Sequence, residues 1–194
     1  WQALRELGEP IQMVVGASVG ALNGAMVAQG DFDTAWELWR KVETTKVFDL
    51  PLDEGLPLSR KRAAALRLFG KAAVSQGGAG TQALTRLLSN TLDEEKIRAS
   101  SVRLGLVTVE LGGMKPHQLW IDQIPQGKLV DYLVASSSLF PAIRPHQIGG
   151  KLFIDGGYQD NLPCRLALKG KPDRLIVVHL EAPGRMWKVD GGAK

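Results

Sequence analysis

The chain has 194 residues, of which 44% are hydrophobic and 23% are charged, and its formal net charge is +4. This length and composition predict one globular domain with a sizeable core. The basic residues lack the aromatic pattern of nucleic-acid binding, and no metal-ligand cluster stands out, so we expect no nucleic-acid partner, metal or other cofactor. Cys164 is the only cysteine, which excludes an intrachain disulfide. With the mild positive charge, this favours a cytoplasmic location or a peripheral one at a membrane surface.

The first eight residues have the pattern of the last turns of a helix that ends at Gly8. A natural domain rarely begins inside a helix, so we expect a segment to be missing before Trp1. Residues 1–194 are predicted to be a single domain, incomplete at its N-terminus, with residues 183–194 as a glycine-rich tail.

A glycine-flanked serine follows the first apolar run. Residues 11–15 are apolar and rich in β-branched side chains, which predicts a buried strand, and residues 21–28 are small and helix-permissive. Ser18 lies between them in the strand–turn–helix context of a nucleophile elbow. Gly16 and Gly20 are expected to supply the room for this sharp turn, because glycine has no Cβ atom.

The start of this helix is a candidate oxyanion site. Backbone N–H groups at a helix N-terminus have no intrahelical partner, so the N–H near Val19 and the helix dipole would favour developing negative charge. Gly20, Gly24 and Ala28 recur at helical spacing, which predicts a bare helix face packed on a sheet. The alternatives are a chance pentapeptide and a phosphate-binding loop, although the latter needs a lysine that is absent here.

The remaining elements alternate between helices and strands. Helices are predicted after Asp31 and Thr81, from Asp93 and Pro163, and over residues 59–75 and 128–136. Strands are predicted over residues 102–111, 119–121, 151–154 and 175–180, with a glycine turn between the first two. The basic helix 59–75 is compatible with a membrane surface, but a solvated face on a core-packed helix is the simpler interpretation.

Asp155 is the candidate partner of the serine. It ends the strand 151–154 and precedes Gly156 and Gly157, which permit a tight turn and the close approach of a substrate. Strand ends are where sites form in α/β sheets, and a buried carboxylate whose pKa is raised can accept a proton from serine. The alternative is an ordinary turn, since Asp-Gly is frequent in turns.

The histidines leave a second mechanism open. His117 starts a predicted strand, His146 lies in a predicted loop, and His179 is expected to be a core residue within strand 175–180. None has a context that selects it, but any of them would complete a Ser-His-Asp triad.

Three blocks resemble the patatin-like phospholipase family. They are residues 14–23 around Ser18, the serine-rich segment 135–141, and residues 153–163 around Asp155. Their order and separation also fit that family.

The resemblance implies a three-layer α/β/α domain with a mostly parallel central sheet. It also implies a hydrolase in which a Ser18–Asp155 dyad, without a histidine, cleaves a phospholipid or other fatty-acyl ester through an acyl-enzyme. The family's oxyanion-donating glycine turn precedes its first helix and would therefore lie before Trp1. A catalytically impaired lipid-binding or interaction domain and a Ser-His-Asp esterase stay open as alternatives.

Overall fold

The computed structural model describes residues 1–41, 47, 64, 67–68, 70–75 and 77–180. Labels number the described elements in chain order. The helices are α1 (Gln2–Glu6), α2 (Val19–Gln29), α3 (Phe32–Lys41), α4 (Gln82–Thr91), α5 (Glu94–Arg98), α6 (Leu129–Ser136), α7 (Gly157–Asp160) and α8 (Cys164–Lys169), with one 3-10 turn at Ile121–Gln123. The strands are β1 (Met13–Ala17), β2 (Arg103–Glu110), β3 (Lys115–Trp120), β4 (His146–Ile148) and β5 (Lys151–Asp155).

Strand β2 is the centre of the sheet. Along one edge it pairs with the antiparallel strand β3, the return strand of the predicted hairpin. Along its other edge it pairs first with β1, which is parallel, and then with β5, which is antiparallel. Strand β4 pairs with β5 and is antiparallel to it. The described sheet is therefore mixed: β1 and β2 are parallel, whereas the pairs β2–β3, β2–β5 and β4–β5 are antiparallel.

Helices pack on both faces of the sheet. Successive side chains of β2 point to opposite faces, and on each face they are buried in an apolar cluster that includes helix residues. Leu104 and Leu106 are buried against α2, α4 and α6 on one face. Val107 is buried on the other face with Trp120 and with Leu166 of α8. The α/β class and the three-layer arrangement are therefore confirmed.

Most predicted elements are present near their expected positions. The helix before Gly8, the strand and helix around Ser18, the hairpin and the helix after Pro163 are all confirmed. Asp31 caps α3, accepting a 3.2 Å hydrogen bond from the backbone N–H of Thr34. The predicted basic helix lies largely outside the described residues, although residues 70–75 are helical, and the predicted tail lies outside them entirely.

The predicted strand at residues 175–180 is wrong. This apolar run has no strand structure, and Val178 and Leu180 are 74% and 85% exposed. His179, expected in the core, is exposed as well. A strand needs the backbone of a neighbouring strand as well as apolar side chains, and in the described sheet no strand pairs with this run. Over the same described ranges, no helix is both long and apolar enough to span a bilayer.

Candidate active site

Ser18 lies in a sharp turn between β1 and α2. Its backbone angles are φ 53° and ψ −130°, a conformation that is uncommon for a residue with a side chain. Such strained conformations persist where the surrounding structure holds them, and they cluster at functional sites. The turn thus presents a half-buried serine at the N-terminus of an eleven-residue helix.

The two flanking glycines have different reasons to be glycine. A Cβ atom on Gly16 would lie 2.2 Å from the carbonyl carbon of Gly20, so only glycine fits at Gly16. A Cβ atom on Gly20 would meet nothing within 4 Å. The expectation that the missing side chain of Gly20 makes room for the turn is therefore wrong. The close approach is instead between the Cβ position of Gly16 and the backbone of Gly20.

Gly20 is also absent from the face of α2 that packs on the sheet. Gly20 is exposed, whereas Ala21, Gly24, Ala25 and Ala28 are buried. A Cβ atom on Gly24 would already lie 3.2 Å from the Leu104 side chain. The small-residue face was thus predicted correctly at two of its members and incorrectly at Gly20.

The sheet brings Ser18 and Asp155 together from opposite directions. Ala17, the last residue of β1, is opposite Val107 of β2. Asp155, the last residue of β5, is opposite Thr108, the next residue of β2. Because β1 runs parallel and β5 antiparallel to β2, their C-terminal ends meet on the same edge of β2.

The carboxyl group of Asp155 is almost completely buried. Asp155 as a whole residue is 4% exposed, and burial raises the pKa of its carboxyl group above the usual value for aspartic acid. Hydrogen bonds from the Ser18 hydroxyl and from the backbone N–H of Gly157 act in the opposite direction, the latter at 2.7 Å. The pKa of Tyr158 is raised too, first by burial and then by the negative charge of Asp155. Asp155 is therefore a desolvated carboxyl group next to a serine.

The two glycines after Asp155 hold the turn close to β2. A Cβ atom on Gly156 would lie 2.2 Å from the carbonyl oxygen of Val107. One on Gly157 would lie 3.1 Å from Oδ1 of Asp155. The glycines thus permit a close approach to β2 and to the carboxyl group, in agreement with the prediction that they allow a tight turn.

Ser136, at the end of α6, links the elbow to the sheet. Its Oγ accepts a 2.9 Å hydrogen bond from the backbone N–H of Ser18 and donates a 2.6 Å hydrogen bond to the carbonyl of Val107. The chain after it follows the Asp155 turn, since the N–H groups of Asp155 and Gly156 donate to the carbonyls of Ser138 and Ser136. One fully buried hydroxyl therefore connects the serine turn with the strand that carries both ends of the site.

Ser136→Ala is expected to lower the free energy of unfolding by about 1–3 kcal/mol, because it leaves the Ser18 N–H without its hydrogen-bond acceptor. Ser138→Ala is the matched control, since the equally buried Ser138 hydroxyl, two residues after the end of α6, donates to the carbonyl of Val134 in the last turn of that helix and bonds to neither the elbow nor β2. Urea unfolding measures both variants. Equal losses in the two would contradict a special role for the Ser136 bonds.

Two histidines are paired with carboxylates other than Asp155. Nε2 of His117 lies 3.1 Å from Glu110, and Nε2 of His146 lies 3.1 Å from Asp131. His117 also packs edge-on against Phe153. The structure therefore gives His117 and His146 their own partners and places neither in the contact between Ser18 and Asp155.

Comparison with known proteins assigns the chain to a family. The sequence profile described as patatin-like phospholipase matches residues 1–168, which include Ser18 and Asp155. This chain belongs to the patatin-like phospholipase family. Members of this family are lipid acyl hydrolases, so fatty-acyl esters are the substrate class of the family.

Relatives of this patatin-like chain agree with that assignment. It is 25% identical over 180 residues to uncharacterized NTE family proteins of Mycobacterium bovis and Mycobacterium tuberculosis, covering 92% of the chain and 43% of each relative. The chain therefore spans less than half the length of these curated relatives. The crystal structure of VipD from Legionella pneumophila has a TM-score of 0.54 at 16% identity, covering 84% of this chain and 43% of VipD, which supports the fold.

The position of Ser136 in this patatin-like site was not predicted. The serine-rich segment 135–141 resembles a block of the family, but the resemblance assigns no role to its hydroxyl groups. The available signal was a run of three serines at the end of an apolar helix, where buried hydroxyl groups need partners. Those partners lie 118 and 29 residues away in sequence, so no local pattern identifies them.

Proposed function

We propose that this chain is a serine-dependent lipid acyl hydrolase in which Ser18 is the nucleophile and Asp155 is the general base. The observation that carries the proposal is the hydrogen bond between the Ser18 hydroxyl and the carboxyl group of Asp155, a residue that is 4% exposed. A serine hydroxyl is a weak nucleophile unless a neighbouring base takes its proton, and the desolvated carboxylate of Asp155 is such a base.

In the first half of the reaction, Oγ of Ser18 attacks the carbonyl carbon of the ester while its proton passes to Asp155. The tetrahedral intermediate then loses the alcohol, which takes the proton from Asp155. The acyl group stays bound to Ser18 as an ester.

In the second half, a water molecule attacks the acyl-enzyme and gives a proton to Asp155. The intermediate breaks down to the fatty acid, and the proton returns to Oγ of Ser18. Atoms and protons therefore balance over the cycle with Asp155 as the only proton carrier.

The N-terminus of α2 supports the negative charge of the intermediate in this proposal. Val19 is the first residue of α2, so its N–H has no acceptor in a preceding helical turn. The N–H groups of Ser18 and Gly157 are engaged by Ser136 and Asp155. We take Val19, the first residue of the helix, as the elbow residue that donates to the oxyanion in this proposal, with the helix dipole adding to it.

The substrate proposed is a phospholipid or another fatty-acyl ester, taken from a membrane surface by peripheral contact. Family membership supports the ester class. The net charge of +4 supports approach to an anionic surface.

We expect a fluorophosphonate to label the protein covalently at Ser18, because the probe needs an activated serine rather than a particular lipid. Labelling is followed by mass spectrometry of the intact protein and of its peptides. Ser18→Ala should abolish labelling, whereas His117→Ala and His146→Ala should be labelled at rates within about tenfold of the unchanged protein.

Each contrary outcome supports a different alternative. Loss of labelling in either histidine variant would support a Ser-His-Asp mechanism. Absence of labelling in the unchanged protein, together with binding to lipid vesicles, would support a non-catalytic lipid-binding domain.

A further inference from the structure

An apolar cavity begins at the residue that follows Ser18. It has a volume of about 170 Å³ and is lined by residues of α2, α3 and α4 and by Val47. On α2 its wall is formed by Val19, Leu22 and Met26, which share one face of the helix. This face is not the small-residue face that packs on the sheet, so α2 carries the sheet contact on one side and the cavity on another.

The cavity runs from an exposed rim to a buried end. Val19 and Trp39 at the rim are 40% and 49% exposed, whereas Met26 and Leu84 are 6% and 1% exposed. Val19 and Met26 are seven residues apart in α2, which corresponds to about 10 Å along the helix axis. The exposed rim therefore includes Val19, the residue that follows the proposed nucleophile, and the buried end is formed by core residues.

The amide in the cavity wall is already hydrogen-bonded within the wall. Oδ1 of Asn23 accepts a 2.6 Å hydrogen bond from the indole N–H of Trp39, and Nδ2 donates a 3.1 Å bond to the carbonyl of Val19. The wall therefore offers a ligand mainly apolar side chains. Such a surface suits a hydrocarbon chain and not a charged or hydroxylated head group.

We infer that this cavity binds the acyl chain of the ester, with the carbonyl at Ser18 and the chain extending along α2 toward Met26. The inference rests on the proposed function and adds the position and length limit of the acyl group. A dry apolar cavity of about 150 Å³ holds a six-carbon ring. The cavity therefore accommodates about six carbons before its buried end limits the chain.

The first test measures kcat/KM for p-nitrophenyl esters from acetate to palmitate. Each added methylene should raise kcat/KM about fourfold up to about six carbons, after which the rise should stop. Leu22→Trp should remove the rise, because the indole fills the cavity near its rim. Leu22→Ala enlarges the cavity and should move the limit to longer chains, and this smaller residue avoids overpacking.

Leu168→Trp is the matched control, since it makes the same exchange on α8, where Leu168 is 58% exposed. It should keep the chain-length profile of the unchanged protein. A profile that is the same in all three variants would overturn the inference.

The second test separates binding from catalysis. Ser18→Ala is titrated calorimetrically with methyl hexanoate, with and without Leu22→Trp or Leu168→Trp. Leu22→Trp should weaken binding at least tenfold and Leu168→Trp should not. Equal binding in the two, or no binding to Ser18→Ala, would overturn the inference, whereas Leu22-dependent binding by a protein that cleaves no ester would reject the proposed function alone.

Discussion

Asp155→Asn is expected to lower kcat for ester hydrolysis by about 10²–10⁴-fold, the usual contribution of a general base. An amide cannot take the proton of Ser18, but it has nearly the same shape and keeps an oxygen for the N–H of Gly157. The ester should still bind, so KM should change little. Steady-state kinetics with a p-nitrophenyl ester measures both parameters.

Asp131→Asn is the matched control for this change. Asp131 pairs with His146 and with Lys128 at 3.0 Å, and it would be the acid of a triad built on His146. The Asp155 mechanism predicts that Asp131→Asn keeps kcat within about tenfold. Loss of activity in Asp131→Asn with full activity in Asp155→Asn would reverse the assignment.

The free energy of unfolding, measured as a function of pH, distinguishes loss of the general base in Asp155→Asn from damage to the fold. Because burial raises the pKa of Asp155, this group stabilises the folded state below the ordinary pKa of aspartic acid. That stabilisation is lost as pH rises through the folded pKa. Asparagine does not ionise, so the stability of Asp155→Asn relative to the unchanged protein should increase through this pH window and then level off. A gap in stability that does not vary with pH would contradict this account.

Gly16→Ala is expected to lower the free energy of unfolding by about 3 kcal/mol or more, at the upper end of overpacking costs. The new methyl group would lie 2.2 Å and 2.3 Å from the carbonyl carbon and oxygen of Gly20. These are backbone atoms of the elbow, so relief requires the turn to open, and opening it moves Ser18. Urea unfolding and fluorophosphonate labelling report the two consequences.

Gly20→Ala supplies the comparison within the same turn. Its methyl group would enter open space, and alanine is favoured over glycine in a helix by up to about 1 kcal/mol. Gly20→Ala should therefore be at least as stable as the unchanged protein. A similar loss of unfolding free energy in Gly16→Ala and Gly20→Ala would contradict the conclusion that only Gly16 has no room for a side chain.

Local patterns predicted the parts of the site that local physics determines. The apolar run before Ser18 and the small residues after it determine a strand and a helix by themselves, and the glycines after Asp155 indicate a tight turn. The same reasoning failed for Gly20, because which face of a helix meets a sheet depends on the whole packing arrangement. It failed for residues 175–180, because strand structure also requires a neighbouring strand.

Long-range features of the site were not predictable in this way. Ser136 bonds to groups in β2 and at the elbow, and neither partner is near it in sequence. The C-terminal ends of β1 and β5 lie next to each other because of the register in which each strand pairs with β2. Resemblance to a family indicated that Ser18 and Asp155 belong together, but it did not indicate the arrangement of strands that brings them into contact.

Val107 and Thr108 are consecutive residues of β2, and this separates the position of the proposed reacting groups from the helices that would bind the substrate. Ser18 follows the end of β1 and Asp155 ends β5, and these two strand ends are aligned with the two consecutive residues of β2. A single peptide unit of β2 therefore sets the spacing of the proposed reactive pair. Exchange of α3 and α4, which line the cavity but take no part in the elbow, or insertions in the connections between these helices, leaves that spacing unchanged. Substrate preference in such a scaffold can therefore diverge without any readjustment of the reacting atoms.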